Sequence, residues 1–312
     1  MEVLSMDAAR VQGFADAVCS QYRSELPYHN SLHAADVVHS MLSQLMVPQL
    51  EALSPLHHIA SLIAAAAHDV GHTGQNNNWH ITTQSDLAVW YSDKSCLEHY
   101  HLACAFTIMR APSCDLLHTL SKSDRTFVRG LVVDMVLATD LAHSFDITNR
   151  FKLQMDTHSN SSWVSTKEGS SLALQMALKA CDIGHAAKPL EQHIEWSRRV
   201  THEFFAQGEL ERDMGLPISP LCDHETCNLP KSQIGFLQFV AAPCFSPWTT
   251  FTGQRNLIDN LEANRDYWRR EAGEVADAPL PAPRTHSIVA ARRASASSVP
   301  EGGFSDLANT LP

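Results

Sequence analysis

Apolar residues recur along much of this chain at the spacing of helices that bury one face. Residues 56–68 (LHHIASLIAAAAH) are rich in Leu and Ala and end just before Gly71, and residues 127–138 and 172–181 have a similar apolar character. Ala and Leu have high helix propensity, and no run of residues alternates β-branched with polar side chains as a strand does. The pattern predicts an all-α protein with a compact multi-helix body.

A longer helix is predicted after Pro189, because proline is favoured at the first helical position. Apolar side chains between Leu190 and Phe205 follow one helical stripe, and Gly208 is the expected end of this helix. Residues 156–171 are instead rich in Ser, Thr, Asn and Gly, which predicts a loop between two helices.

The composition changes near residue 272, which predicts one folded domain over residues 1–272 and a tail over residues 273–312. The tail is rich in Ala, Pro and Ser and buries too little apolar surface to offset the entropy of ordering, so we expect it to be disordered. Its RRAS sequence, which ends at Ser295, has two interpretations. It is either a site for a kinase that prefers basic residues or a chance basic pair in a solvated tail.

Charge and cysteine content narrow the classes of partner. The formal net charge is −11, which argues against a nucleic-acid polymer because proteins that bind one carry basic stripes. A small phosphate ligand stays compatible, since bound metal ions supply local positive charge. The longest apolar run, residues 59–67, is too short for a membrane span, and the N-terminus lacks a secretory signal. With eight scattered cysteines, we expect a cytoplasmic protein without a membrane partner.

Histidine and aspartate cluster at three points of the sequence. His29 and His33 are four residues apart, so on a helix they would share one face. The pair His68–Asp69 closes one apolar segment, and Asp182 follows another. Imidazole and carboxylate groups bind zinc and similar ions, and a carboxylate can bridge two ions that act together on a phosphate ester. Each residue alone is usually an ordinary core or surface residue, but their combination indicates a metal site.

Several sequence blocks resemble the catalytic domain of the class I 3′,5′-cyclic nucleotide phosphodiesterases. They include YHNSLHAADV (28–37), HDVGHTGQNNN (68–78), CDIGHAAKPLE (181–191) and KSQIGF (231–236), and the resemblance extends over roughly residues 25–270. The SDLA and GLPISPLCD segments are most similar to the calcium/calmodulin-stimulated, dual-specificity subfamily. The resemblance implies an all-α, HD-type fold. Since catalytic domains of this family usually carry several more helices upstream, we expect either that the sequence is a fragment or that its N-terminal subdomain is reduced. The resemblance also implies metal-dependent hydrolysis of cAMP, cGMP or both to nucleoside 5′-monophosphates, which ends cyclic-nucleotide signals.

The same resemblance implies two divalent cations, zinc at a tight site and Mg²⁺ or Mn²⁺ at a second. Asp69 would bridge the two ions, and His29 would be the general acid that protonates the departing 3′ oxygen, kept protonated by Glu98. The residues that match the ligands of the tight site are His33, His68, Asp69 and Asp182. The residues that match an outer shell, which would hold waters on the second ion, are His72, Glu98 and Thr139.

The positions that match the substrate pocket are Tyr28, His185, Val200, Gln233 and Phe236. Gln233 and Phe236 are three residues apart, so one helical turn can present both. The glutamine amide offers a donor and an acceptor to a purine edge, and Phe236 offers an apolar face opposite Val200. Spacing alone favours a core phenylalanine and a solvated glutamine, whereas the resemblance favours base recognition. Because His185 replaces an asparagine found in many cAMP-selective members, we expect both cAMP and cGMP to bind.

Two other classes of protein stay open. A different HD-type metal phosphohydrolase, such as a nucleotidase, could use the same ligands, but it needs neither His29 nor the SQIGF segment. A scaffold protein with an inactive fold does not need the ligands, and here all four ligands and the acid are present. Hydrolysis of a cyclic nucleotide is therefore the preferred prediction.

Overall fold

The computed structural model describes residues 6–158 and 160–274, and within these ranges the chain is helical and contains no strand. This confirms the all-α prediction. The tail from residue 275 onward, with Ser295, lies outside the described residues. In chain order the α-helices of the described part are α1 (Ala8–Gln21), α2 (Ser31–Leu45), α3 (Pro55–Ala67), α4 (Asn77–Thr82), α5 (Asp86–Tyr91), α6 (Cys96–Ile108), α7 (Lys122–Leu137), α8 (Ser144–Thr157), α9 (Lys167–Asp182), α10 (Leu190–Asp213), α11 (Leu229–Phe236), α12 (Ala242–Thr252) and α13 (Arg255–Glu271).

Helix α9 lies at the centre of the molecule and contacts α2, α3, α7, α8 and α12. Its small residues Ala173 and Ala177 are fully buried, which lets neighbouring helices approach closely, while Leu174 and Met176 fill the space between them. Helix α3 packs against α2 and α7 and buries Ala64 in the same way. This shared core fixes where the start of α2 and the ends of α3 and α9 lie, and these three points carry the candidate site.

The start of α2 is set by Asn30. Its side-chain oxygen accepts hydrogen bonds from the backbone N–H groups of Leu32 and His33, at 2.9 and 3.3 Å, so the helix begins at Ser31. The expectation that His29 and His33 share one helical face is therefore wrong, because His29 precedes the cap. His29 is instead positioned by contacts with α10.

Helix α10 begins at Leu190, with Pro189 as its N-cap and not as its first residue. It also does not stop at Gly208 but continues to Asp213. A Cβ atom at position 208 would collide with the carbonyl group of Cys222. This glycine therefore permits a close approach of two chain segments, and it does not end the helix.

The loop expected over residues 156–171 is shorter than predicted. Helix α8 extends to Thr157, and α9 begins at Lys167 after a 3-10 turn at Ser161–Ser165. The side-chain oxygen of Thr166 accepts a hydrogen bond from the N–H of Gly169 at 3.0 Å, and this cap allows α9 to begin within the polar stretch.

Among the described residues, no helix is both long and apolar enough to cross a membrane.

Candidate metal centre and substrate pocket

Four side chains that are distant in sequence converge at the ends of three helices. His33 lies in the first turn of α2, His68 and Asp69 follow α3, and Asp182 is the last residue of α9. One ligand atom from each lies within 4.8 Å of the others. The Nε2 atoms of His33 and His68 are 3.2 Å apart. Oδ2 of Asp69 lies 3.4 Å from Nε2 of His33 and 3.1 Å from Nε2 of His68. The four predicted ligands of the tight site are thus brought together.

The imidazole of His68 is oriented by the backbone. Its Nδ1–H donates a hydrogen bond of 2.9 Å to the carbonyl oxygen of Ala65, in the last turn of α3. The neutral ring then carries its lone pair on Nε2, which points into the cluster, and this is the form that binds a metal ion. Because the side chain is fully buried, the ring has little freedom to leave this orientation.

The two carboxylates are anionic acceptors. Burial alone would raise the pKa of Asp182, but the nearby imidazoles of His33 and His68, whose Nε2 atoms lie 3.3 and 3.4 Å from its Oδ1, hold it well below its ordinary value. Oδ2 of Asp69 is buried, and no hydrogen-bond donor of the described residues reaches it. A buried carboxylate oxygen without a donor is costly unless a cation sits beside it. Two imidazole nitrogens and two carboxylates therefore fit a divalent cation of the zinc type.

Beside Asp69 lies His101, which the sequence analysis did not identify. Its Nδ1–H donates a 2.8 Å hydrogen bond to the carbonyl oxygen of Val70, and its Nε2 lies 3.8 Å from Oδ1 of Asp69. Burial lowers the pKa of His101 to about 4, so the ring is neutral and turns a lone pair towards the cluster. In the sequence, the one indication that His101 belongs to the site was its position three residues after Glu98, because residues at this spacing on α6 share one helical face.

Hydrogen bonds position each of the three predicted outer residues. Glu98 is buried and accepts hydrogen bonds of 3.2 and 2.9 Å from the side-chain amide of Asn77, and burial raises the pKa of Glu98 to about 7. The hydroxyl of Thr139 donates to the carbonyl oxygen of Val136 at 2.7 Å, which leaves its own oxygen free to accept. Nδ1 of His72 accepts a hydrogen bond from the N–H group two residues later, at 3.0 Å.

His29 is held by Glu203 of α10, and not by Glu98 as predicted. One carboxylate oxygen of Glu203 makes a short hydrogen bond with Nδ1 of His29, and the other accepts the backbone N–H groups of Tyr28 and His29 at 3.1 Å each. The ring of His29 also stacks on that of His72, with centroids 3.8 Å apart. Glu203 lies within the EFFAQ segment, but nothing in its sequence position pointed to a partner 174 residues away.

The contact with Glu203 determines the charge of His29. Burial lowers the pKa of His29, but the Glu203 carboxylate outweighs this effect and raises the pKa to about 8. With Nδ1 directed to Glu203, the Nε2–H faces the cluster and lies 4.0 Å from Oδ2 of Asp69. A protonated imidazole in this place can act as a general acid.

Gln233 of α11 is bound by a residue that the sequence analysis missed. Ser197 of α10 donates a 2.9 Å hydrogen bond from its hydroxyl to the side-chain oxygen of Gln233, and both residues are buried. Val200 lies one turn after Ser197 on α10 and is half-buried. The rings of Phe236 and His185 are parallel to within 2°, with centroids 5.2 Å apart.

Tyr28 joins the two parts of the site. Its buried ring lies 4.6 Å from that of His33 and 6.1 Å from that of His185, measured between centroids. All five predicted pocket residues thus lie on α10, α11 or the segments that flank the metal cluster.

The backbone of His185 is anchored by a second buried histidine. Nδ1–H of His193 donates to the carbonyl oxygen of His185 at 3.1 Å, and Nε2 of His193 accepts a 2.7 Å hydrogen bond from the indole N–H of Trp268 in α13. Burial lowers the pKa of His193 to about 4, so both ring nitrogens are satisfied in the neutral form. The 3-10 turn Gly184–Ala187 is thereby fixed between α9 and α13.

Comparison with known proteins gives consistent matches. The profile of the 3'5'-cyclic nucleotide phosphodiesterase family matches residues 28–262. The chain is 38% identical over 255 residues to 3',5'-cyclic-AMP phosphodiesterase 4C of Mus musculus, a match that covers 80% of this chain and 37% of the mouse protein. It is 35% identical over 257 residues to the probable 3',5'-cyclic-AMP phosphodiesterase pde-4 of Caenorhabditis elegans, which covers 80% of this chain and 38% of that protein. The chain therefore spans less than half the length of these curated relatives.

Solved structures show the same similarity in three dimensions. The phosphodiesterase domain of the RhoPDE fusion protein from the choanoflagellate Salpingoeca rosetta superposes with a TM-score of 0.81 at 29% identity, covering 86% of this chain and 85% of that one. The structure of LmjPDEB1 in complex with IBMX gives a TM-score of 0.80 at 29% identity, covering 86% and 81%. The named curated relatives are cAMP phosphodiesterases, so they lend no support to the predicted calcium/calmodulin-stimulated subfamily.

Proposed function

Since the chain belongs to the 3'5'-cyclic nucleotide phosphodiesterase family, we propose that it hydrolyses 3′,5′-cyclic nucleotides to nucleoside 5′-monophosphates. One observation carries the proposal: four side chains that could hold a metal ion converge beside His29, whose Nδ1 is bound by the Glu203 carboxylate. A metal cluster alone would suit many phosphohydrolases. A positioned proton donor next to it suits a reaction whose leaving group is a poor one, such as the 3′ alkoxide of a ribose.

The donor set indicates which ions the site would take. His33, His68, Asp69 and Asp182 would hold a zinc ion, since two imidazole nitrogens and two carboxylates match its preferred ligands. Asp69 would also help to hold a second ion, Mg²⁺ or Mn²⁺, and His72, His101, Glu98 and Thr139 would bind its waters. Divalent cations in these positions supply Lewis acidity that makes water a nucleophile near neutral pH and offsets the charge of the phosphate.

The protein's own groups account for the rest of the reaction. When water attacks phosphorus, a bond forms between phosphorus and the water oxygen and the bond to the 3′ oxygen breaks. The 3′ oxygen takes the proton from Nε2 of His29, and the proton that the water releases passes to solvent, from which His29 is protonated again. Glu203 stabilises the imidazolium before the transfer and holds the ring through Nδ1, so that Nε2 stays directed at the reacting atoms. The stacked ring of His72 limits rotation of His29 away from this position.

Base recognition would depend on Gln233 and Phe236. The side-chain oxygen of Gln233 accepts from the Ser197 hydroxyl, and a hydroxyl can equally accept from the amide nitrogen if the amide turns over. Adenine and guanine present opposite orders of donor and acceptor on the edge that the amide would bind. Ser197 can satisfy either amide orientation, which supports turnover of both cAMP and cGMP. The names of the curated relatives support cAMP as a substrate.

A side-by-side turnover assay tests the proposal. The purified protein with added Zn²⁺ and Mg²⁺ is incubated separately with cAMP, cGMP and 5′-AMP, and the products are separated by chromatography. We expect 5′-AMP and 5′-GMP from the cyclic substrates and no release of phosphate from 5′-AMP. Phosphate release from 5′-AMP with intact cyclic nucleotides would favour a nucleotidase, and no product from any substrate would favour a scaffold protein.

A further inference from the structure

Lys179 is a buried lysine close to the metal centre. It lies on α9, three residues before Asp182, and only 2% of its surface is exposed. Its ammonium donates a 2.8 Å hydrogen bond to the hydroxyl of Ser144, the first residue of α8. Buried ammonium groups are costly and are usually paired with a carboxylate, yet the partner here is a neutral hydroxyl. A lysine kept at this cost suggests a specific role for the contact.

The contact joins two segments that each carry a predicted site residue. Helix α9 carries Asp182, and residues 139–144 connect α7 to α8 and begin with Thr139. The other end of this connection is also tied, because Ser95 donates a 2.8 Å hydrogen bond to a carboxylate oxygen of Asp140. Ser95 Oγ also lies 3.4 Å from Nε2 of His143. Residues 139–144 are therefore bound from two sides, by Ser95 before α6 and by Lys179 of α9.

The surroundings of Lys179 are acidic. Burial lowers the pKa of Lys179, whereas the Cys244 thiol and the carboxylates of Asp182, Asp140 and Glu98 raise it. A cation near these carboxylates would by itself weaken the binding of a metal ion, because like charges repel. If Lys179 instead acts by anchoring residues 139–144, it strengthens metal binding, because it keeps the oxygen of Thr139 in place for the waters of the ion. The two roles therefore predict opposite results when the lysine is removed.

We propose that Lys179 is a positioning residue for the second divalent cation: its hydrogen bond to Ser144 holds residues 139–144, and with them Thr139, against the helix that ends at Asp182. The inference rests on the proposed function, because it assumes the second ion. Lys179 touches neither that ion nor the substrate, and it acts only through Thr139.

Three variants test this role. Lys179→Met removes the ammonium and keeps an apolar side chain in the space, Ser144→Ala removes the acceptor and keeps the charge, and Lys152→Met changes an exposed lysine of α8 as the matched control. The zinc-loaded proteins are titrated with Mn²⁺, and free Mn²⁺ is measured by electron paramagnetic resonance. We expect the Kd for Mn²⁺ to rise about tenfold in Lys179→Met, because displacing Thr139 would approach the loss of an outer-shell partner, which costs roughly 10- to 100-fold in metal affinity. Ser144→Ala should shift the Kd in the same direction by a smaller factor, and Lys152→Met should not shift it.

Three measurements, the Tm, Mn²⁺ binding and cyclic-nucleotide cleavage, distinguish anchoring of residues 139–144 from other roles of Lys179. The Tm of Lys179→Met should stay close to that of the wild type, since the variant removes the cost of burying an ammonium and loses one hydrogen bond to Ser144. Tighter Mn²⁺ binding in Lys179→Met with no change in Ser144→Ala would overturn the proposal and identify a purely electrostatic effect. Unchanged binding in both variants would also overturn it. If the wild type binds Mn²⁺ but cleaves no cyclic nucleotide, the proposed function fails while the binding comparison still decides the role of Lys179.

Discussion

The candidate metal cluster and the proposed base pocket are adjacent, but their side chains are held in different ways. In the cluster, ring nitrogens that face away from the ion site are bound by main-chain carbonyl groups, as for His68 and His101. In the pocket, Gln233 is bound by a serine hydroxyl, which can rotate and can act as donor or acceptor. The cluster therefore has one arrangement, whereas the pocket can accept more than one.

This difference indicates that the cluster and the pocket have separate tasks, the reaction and the recognition of the base. A reaction that depends on fixed charges needs a scaffold that does not reorganise, and helix ends joined through a common core provide one. Recognition of related bases needs only a few adjustable polar contacts. Changes in the cluster should therefore abolish the reaction, and changes in the pocket should alter which substrate is preferred.

The largest effect is expected from Asp182→Ala. Removing this ligand leaves three donors around the tight site, and metal binding provides several kcal/mol to the reaction, so turnover should fall by about 10⁴-fold or more. Metal content, measured by mass spectrometry of the purified protein, should fall with it. The exposed residue Asp213 gives a matched control as Asp213→Ala, which should retain both. Equal turnover in Asp182→Ala and the wild type would contradict the metal assignment.

A smaller loss is expected from His29→Ala, because the reaction loses its proton donor but keeps its cations. Turnover should fall by about 10²- to 10³-fold while metal content stays at the wild-type level. His39→Ala, which changes an exposed histidine of α2, should leave both unchanged. Loss of metal in His29→Ala would refute its assignment as the acid.

Glu203→Gln should weaken the reaction by about 10- to 100-fold, since it removes a charge-assisted hydrogen bond. The pH profile gives a sharper test. In the wild type the pKa of His29 is raised to about 8, so turnover should fall as the pH rises through this value and the donor loses its proton. In the variant, burial lowers the pKa without opposition from Glu203, and the fall should move to lower pH. An unchanged alkaline limb would show that Glu203 does not control the charge of His29.

The smallest effects are expected in the pocket. Gln233→Ala should raise KM for cAMP and cGMP about tenfold through the lost hydrogen bonds, with kcat and metal content nearly unchanged. Ser197→Ala should change the ratio of kcat/KM for the two nucleotides by roughly threefold, because the amide loses the partner that accommodates both orientations. A large fall in kcat for Ser197→Ala would mean that the pocket and the cluster are not independent.

The sequence predicted the helical fold and the ligand set because both depend on local patterns. Apolar periodicity and helix propensity define α3 and α9, and the motifs at His33, His68 and Asp182 have residue types that only a few kinds of site use. Their spacing in the sequence did not show that these motifs lie close together in the fold, and that expectation came from the family resemblance.

The errors have specific physical causes. Asn30 caps α2 and thereby excludes His29 from the helix, an effect of a single side chain on the chain's direction. Gly208 looked like a helix terminator, but its role depends on a segment fourteen residues later that packs against it. Glu203 and Ser197 were missed because their partners are distant in sequence and their residue types are common on helix surfaces. Such contacts become evident only when the helices are placed in space.

The most direct test of the central claim is a diffraction experiment at the zinc absorption edge on crystals grown with zinc. We expect an anomalous peak bounded by Nε2 of His33, Nε2 of His68 and carboxylate oxygens of Asp69 and Asp182, each within about 2.0–2.2 Å of the ion. An anomalous map with no peak between these four side chains, or with its peak at another part of the protein, would contradict the account.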